Sequence, residues 1–97
     1  MNKLILTSPK SNHPLKPLVQ SALSNELRLL KSGIYRTEQN IRKFETRYNM
    51  STNQFLDAFA NNQLDESLEF AEWIGEHRML KRLQEKAQIL EEISFVD

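Results

Sequence analysis

Apolar side chains recur along residues 23–48 at steps that alternate between four and three residues. A mean step of 3.5 residues keeps one seam of an α-helix facing a partner helix. Thr37 fills the one gap in this repeat, and no Pro interrupts it. The pattern therefore predicts a long helix that packs along its whole length. The apolar members of its seam are Leu23, Leu27, Leu30, Ile34, Ile41, Phe44 and Tyr48.

The predicted first helix begins within residues 14–17, because Pro suits the first helical turn, where the missing N–H has no partner to lose. It ends near Asn49. Gly33 lies in its interior, where Gly costs about 1 kcal/mol relative to Ala. A break at Gly33 is therefore the alternative to one long helix. Leu30 and Ile34 keep the same phase on either side of Gly33, which favours a continuous helix.

Capping signals predict a short helix directly after the first one. Ser51 is a good N-cap, and Gln54 follows at the spacing of a capping box. The predicted helix covers Thr52 to Ala60, and residues 61–63 (Asn-Asn-Gln) end it. Asn is the best residue after Gly for the left-handed position that follows a helix.

A second long helix is predicted from a cap at Asp65 or Ser67 to about Ile93. A short helix between two long ones lets the long ones run antiparallel. The predicted fold is therefore all-α, a long antiparallel helical hairpin with a short helix between its arms. From this last helix we expect Trp73, Leu80, Leu83 and Leu90 in the packing interface with the first.

The two ends of the chain are predicted separately. Lys3 to Thr7 has the composition of a short strand, which must pair with a partner's strand or stay frayed. We expect residues 1–14 to form an N-terminal arm and residues 15–97 a single helical domain, of which residues 94–97 are a tail.

The amino-acid composition limits the classes of protein to which this chain can belong. Only 39% of the 97 residues are hydrophobic, which is low for a self-sufficient small domain, so we expect a partner surface. The first helix is longer than the last and carries Leu18 and Leu29 off its seam, which one chain would not cover, so we expect a homodimer. The absence of Cys excludes disulfides and thiolate metal sites. The apolar run at the start, Leu4 to Leu6, is too short for a signal peptide or a membrane span. We therefore expect a cytoplasmic protein with no membrane partner.

Charge is balanced overall and uneven along the chain. Residues 14–48 carry seven Lys or Arg against three Glu, a net charge of about +4, and residues 49–97 carry ten acids against four bases, a net charge of about −6. Complementary arms of one hairpin explain this distribution. A basic face for nucleic acid is the alternative, but no phosphate loop, aromatic stacking array or Cys/His finger accompanies it.

Candidate chemistry is sparse. Glu72 and Glu76 lie one helical turn apart beside His77, yet a di-iron pattern needs Glu and His three residues apart on a core face, and position 74 is Ile. The Ser and Thr residues lack a nucleophile elbow. We therefore expect no enzyme activity, no catalytic residue, no metal and no cofactor.

Three segments resemble a family of small helical proteins of bacteria and archaea. These segments are residues 22–38, residues 44–55, which contain the pattern FExxYxMS, and residues 69–76, which contain EWIGE. Some members of that family are assigned as antitoxins because small toxin-like proteins are encoded beside them. The chain departs from the family in having Asn61-Asn62 where a Gly usually follows the short helix.

The resemblance implies a binding protein, an antitoxin-like partner of a small toxin that acts by helix-mediated association. One alternative is a DNA-binding regulator of the ribbon–helix–helix type, which a break at Gly33 would favour and an unbroken helix would oppose. The other is a structural homodimer. Any DNA affinity of the isolated protein is expected to be weak and electrostatic.

Overall fold

The computed structural model describes residues 3–4 and 15–95. In chain order the elements are β1 (Lys3–Leu4), α1 (Leu15–Tyr48), α2 (Thr52–Ala60), α3 (Leu68–Glu91) and β2 (Ser94–Phe95). The two long helices α1 and α3 pack against each other as an antiparallel hairpin, with the short α2 between them. The predicted all-α hairpin is confirmed. The molecule measures 62 × 21 × 17 Å.

Helix α1 is continuous through Gly33. A Cβ atom placed on Gly33 would lie 3.4 Å from Cδ1 of Leu83, so the two helices approach closely at this point. Packing against α3 compensates for the low helix propensity of Gly, and the alternative of a break at Gly33 is not found. The helix ends at Tyr48, and Asn49 follows with a φ of 52°.

Local capping produces α2 as its sequence predicts. The hydroxyl of Ser51 accepts from the backbone N–H of Gln54, and the Gln54 side chain accepts from the backbone N–H of Ser51 at 2.8 Å, which is a complete capping box. Asn62, not Asn61, takes the left-handed conformation, with a φ of 56°. An Asn side chain tolerates that conformation better than most residues, so the turn forms without Gly.

Helix α3 is capped by Ser67, whose hydroxyl accepts from the backbone N–H of Phe70 at 3.1 Å. Of the two predicted caps, Ser67 is the one used. The helix ends at Glu91, two residues before the predicted end.

Two short strands, one before α1 and one after α3, pair with each other. Strand β1 pairs in parallel with β2, with Lys3 opposite Ser94 and Leu4 opposite Phe95. Residues 94–95, expected as part of a tail, thus supply a partner strand from the same chain. Residues 5–7 of the predicted N-terminal strand and residues 96–97 of the tail lie outside the described residues.

Helix α1 is longer than the helix that packs on it. From the contact between Gly33 and Leu83, α3 continues for eight residues to its end, whereas α1 extends eighteen residues back to Leu15. The first ten residues of α1, about 15 Å at the helical rise per residue, therefore lie at the end of α3 or beyond it. Leu90, one residue before that end, still lines a cavity with Gln20, Leu23 and Ser24. We call residues 15–24 the overhang.

Candidate functional site

An aromatic cluster closes the end of the hairpin where α2 lies. The ring of Phe55 stacks on Trp73 with 3.9 Å between centroids, and Phe44 stacks on Trp73 at 5.7 Å. Phe55 and Trp73 are completely buried. These rings therefore form the core of the protein, and stacked aromatic pairs of this kind contribute beyond their buried area.

A hydrogen-bond chain, buried at Trp73 and partly buried at Glu45, joins the three helices. Nε1 of Trp73 donates to Oγ1 of Thr52 at 3.0 Å, and that hydroxyl donates to Oε2 of Glu45 at 3.0 Å. The same carboxylate oxygen accepts from the backbone N–H of Thr52 at 2.9 Å. Sequence reasoning did not identify Thr52 or Glu45. The available signal was that a buried indole N–H needs an acceptor.

The predicted packing residues differ in how far they are buried. Leu30, Ile41 and Trp73 are buried. The remaining eight are half-buried: Leu23, Leu27, Ile34, Phe44, Tyr48, Leu80, Leu83 and Leu90. Thr37 is also buried in the seam, and the small side chain of Ala87 is buried on α3. The single chain therefore covers its seam only partly.

One groove runs between the second half of α1 and the first half of α3, with a volume of about 580 Å³. Apolar atoms form its floor and both charge signs line its rims. The α1 side is basic and the α3 side is acidic. Its lining residues are Asn40, Lys43, Phe44, Arg47, Glu69, Glu72, Gly75, Glu76 and Met79.

Charge pairing inside the groove is incomplete. Arg47 forms an ion pair with Glu69, which also accepts a hydrogen bond from the hydroxyl of Tyr48. Within residues 15–93, the side chains of Lys43, Glu72 and Glu76 make no ion pair or hydrogen bond. The groove thus presents one unpaired base and two unpaired acids on opposite rims.

Exposed apolar residues continue the α1 rim of the groove toward the overhang. Leu18, Leu29 and Asn40 are spaced by eleven residues, which is about three helical turns, so they lie on the same side of α1. Leu18 is 64% exposed and Leu29 is 51% exposed. We call this side of the hairpin the groove face. It comprises Leu18, Ala22, Leu29, Arg36, Lys43 and Arg47 of α1 and Glu72, Glu76 and Met79 of α3.

The structure offers no constellation for metal chemistry in the part of the chain that it describes. No group of three His, Asp or Glu side chains there is placed to hold a metal ion. Glu72 and Glu76 line the groove, whereas His77 is not among its lining residues. None of the described helices combines the length and the apolar character needed to cross a membrane.

A break of α1 near Gly33 would have favoured the ribbon–helix–helix alternative. The structure has α1 as one helix of 34 residues, which opposes that alternative. Comparison of the chain with models of protein families, with curated proteins and with solved structures finds no match.

Proposed function

We propose that this chain is a protein-binding module that acts by helix-mediated association and not by catalysis. Its first partner is a second copy of itself. Its further partner, as the family resemblance implies, is a small toxin-like protein. The observation that carries the proposal is the groove face, where exposed apolar residues of α1 adjoin an amphipathic groove.

The shape of the molecule supports association. Its radius of gyration is 19.4 Å, whereas a compact domain of about 100 residues has one near 13 Å. Among the described residues, the buried hydrophobic set consists of five: Leu30, Ile41, Phe55, Trp73 and Ala87. So small a core leaves apolar surface that a partner would bury, at about 1.5–3 kcal/mol for each large side chain fully covered.

Light scattering and sedimentation at tens of micromolar protein test self-association. We expect a dimer. Replacing Leu18 and Leu29 together by Gln removes apolar surface from the groove face while keeping helix propensity, and should give a folded monomer. Tyr35→Gln is the matched control, since Tyr35 is 65% exposed and lies on another side of α1. A stable monomer of the unmodified chain would contradict the proposal.

The toxin-binding part of the proposal has a separate test. The chain is co-expressed with the product of the neighbouring gene, and the complex is isolated and its stoichiometry measured. We expect a defined complex and relief of any growth inhibition that the neighbouring product causes. Unchanged growth inhibition together with separate elution of the two proteins would reject this partner and leave self-association standing.

A further inference from the structure

We propose that two copies pair through their groove faces in parallel, with the two hairpins pointing the same way and α1 of each lying over α3 of the other. This inference rests on the proposed self-association and adds its orientation. Two-fold symmetry permits two face-to-face arrangements in which the hairpins are aligned along their length. One has its axis along the hairpin and gives parallel copies, and the other has its axis across the hairpin and gives antiparallel copies.

Charge favours the parallel arrangement. Phe44 stacks on Trp73, so Lys43 lies at the level of residues 72–76 along the hairpin axis. In a parallel copy every residue stays at the same level along the hairpin axis, but α1 and α3 exchange sides. Lys43 of each protomer therefore lies over Glu72 and Glu76 of its partner. These three side chains make no ion pair or hydrogen bond within residues 15–93 of one chain. Charge pairs across an interface fix its register and suppress wrong arrangements.

Apolar residues favour the same orientation. The overhang carries Leu18 and Ala22 on the groove face, at the end of α3 or beyond it. A parallel copy brings a second overhang to the same level, so that the two apolar stripes meet.

The antiparallel arrangement has the opposite effect. It turns the partner end for end, so that the overhang of one copy lies beside the charged end of the other. Leu18 and Ala22 would then face a region that carries Lys43, Glu72 and Glu76. Covering a charge with an apolar side chain removes its water without supplying a partner, which is unfavourable.

Distance measurement between spin labels separates the two orientations. The chain contains no Cys, so each introduced thiol is the single labelling site. Gln63→Cys labels the exposed turn after α2, and Ser21→Cys labels an exposed position of the overhang. In a parallel dimer the distance between the two Gln63 labels is well below half of the 62 Å length of one chain, and so is the distance between the two Ser21 labels.

A mixed sample is the matched control. One protomer carries the label at position 63 and the other at position 21. Compared with the two singly labelled samples, the mixture of a parallel dimer adds a long distance, and the mixture of an antiparallel dimer adds a short one. A dimer whose Gln63 labels lie far apart would overturn the orientation and leave self-association intact. A monomer by light scattering would instead reject the proposed self-association.

Charge reversal tests the contact itself. Lys43→Glu places three acids together in the interface and should weaken dimerisation about tenfold. Glu72→Lys combined with Glu76→Lys should weaken it as well, and combining all three changes should restore it. Lys81→Glu is the control, since Lys81 is exposed and does not line the groove. Circular dichroism checks that each variant is folded. Failure of the triple variant to recover would reject the Lys43 contact.

Discussion

The indole Nε1 of Trp73 and the hydroxyl Oγ1 of Thr52 form a 3.0 Å hydrogen bond in the interior of the protein. Trp73 is completely buried, and Thr52 is 9% exposed. The bond connects the first residue of α2 to α3, and Glu45 extends it to α1. One threonine thus ties the three helices together at the closed end of the hairpin.

Thr52→Val should therefore destabilise the protein although it preserves the shape of the side chain. The variant leaves the buried indole N–H of Trp73 without its acceptor, which costs about 1–3 kcal/mol. Thermal unfolding measures the loss. Thr46→Val is the control, because Thr46 is exposed on α1 and its replacement should change the free energy of unfolding by less than about 0.5 kcal/mol. Equal effects from both changes would show that the Thr52 bond contributes nothing.

The middle of the seam provides the second prediction. Leu30→Ala removes a buried side chain and should cost about 2–5 kcal/mol, because a cavity is left beside α3. At about 4–8 °C for each kcal/mol in a domain of this size, the melting temperature falls by many degrees.

Lys31→Ala is the neighbouring control for Leu30→Ala. Its ammonium lies 3.3 Å from the carboxylate of Glu91, with both side chains more than half exposed. Surface ion pairs of this kind contribute at most about 1 kcal/mol. A loss of stability from Lys31→Ala as large as that from Leu30→Ala would mean that the seam does not carry the packing energy.

Much of the fold is predictable because local and long-range signals agree. The 3.5-residue repeat predicts α1, and the Ser51–Gln54 spacing predicts the start of α2. At Gly33 the local signal and the long-range signal disagree. Its low helix propensity suggests a break, and its contact with Leu83 explains why the helix continues. The periodicity correctly predicts a continuous helix there, because the packing of α1 on α3 stabilises the helix by more than the low helix propensity of Gly costs.

The candidate site is much less predictable. Lys43, Glu72 and Glu76 come together because α1 and α3 run antiparallel at one particular level, and no local pattern sets that level. The overhang likewise depends on where α3 ends relative to Leu83. The pairing of Lys3–Leu4 with Ser94–Phe95 joins residues at opposite ends of the chain, which no short sequence window contains.

Gly33→Ala is the third prediction. The new Cβ would lie 3.4 Å from Cδ1 of Leu83, which is an ordinary contact with the end of a flexible side chain. Ala gains up to about 1 kcal/mol of helix propensity over Gly. We expect a higher melting temperature, and a smaller gain from Ser32→Ala at the exposed position next to it. A clear destabilisation would show that the close approach of α3 requires Gly.

The two serine caps provide the fourth prediction. Ser51→Ala and Ser67→Ala each remove a hydroxyl that accepts a backbone N–H at the start of a helix. Each should cost about 0.5–2 kcal/mol. Ser24→Ala, at an exposed position within α1, makes no such change and is the control in chemical denaturation. A cap that can be removed without loss would indicate that packing alone holds that helix end.

The last prediction is that the isolated protein binds DNA only weakly. Of the seven basic residues on α1, Lys31 and Arg47 are in ion pairs with acids of α3. The basic residues are spread around the helix, so few of them can face one duplex together and the salt dependence of binding should be shallow. Fluorescence anisotropy with the protein's own upstream DNA, at about 150 mM salt, measures this. Sequence-independent DNA of equal length is the control. Tight binding that distinguishes the two DNAs would place a base-reading surface on this chain and contradict a role in protein association alone.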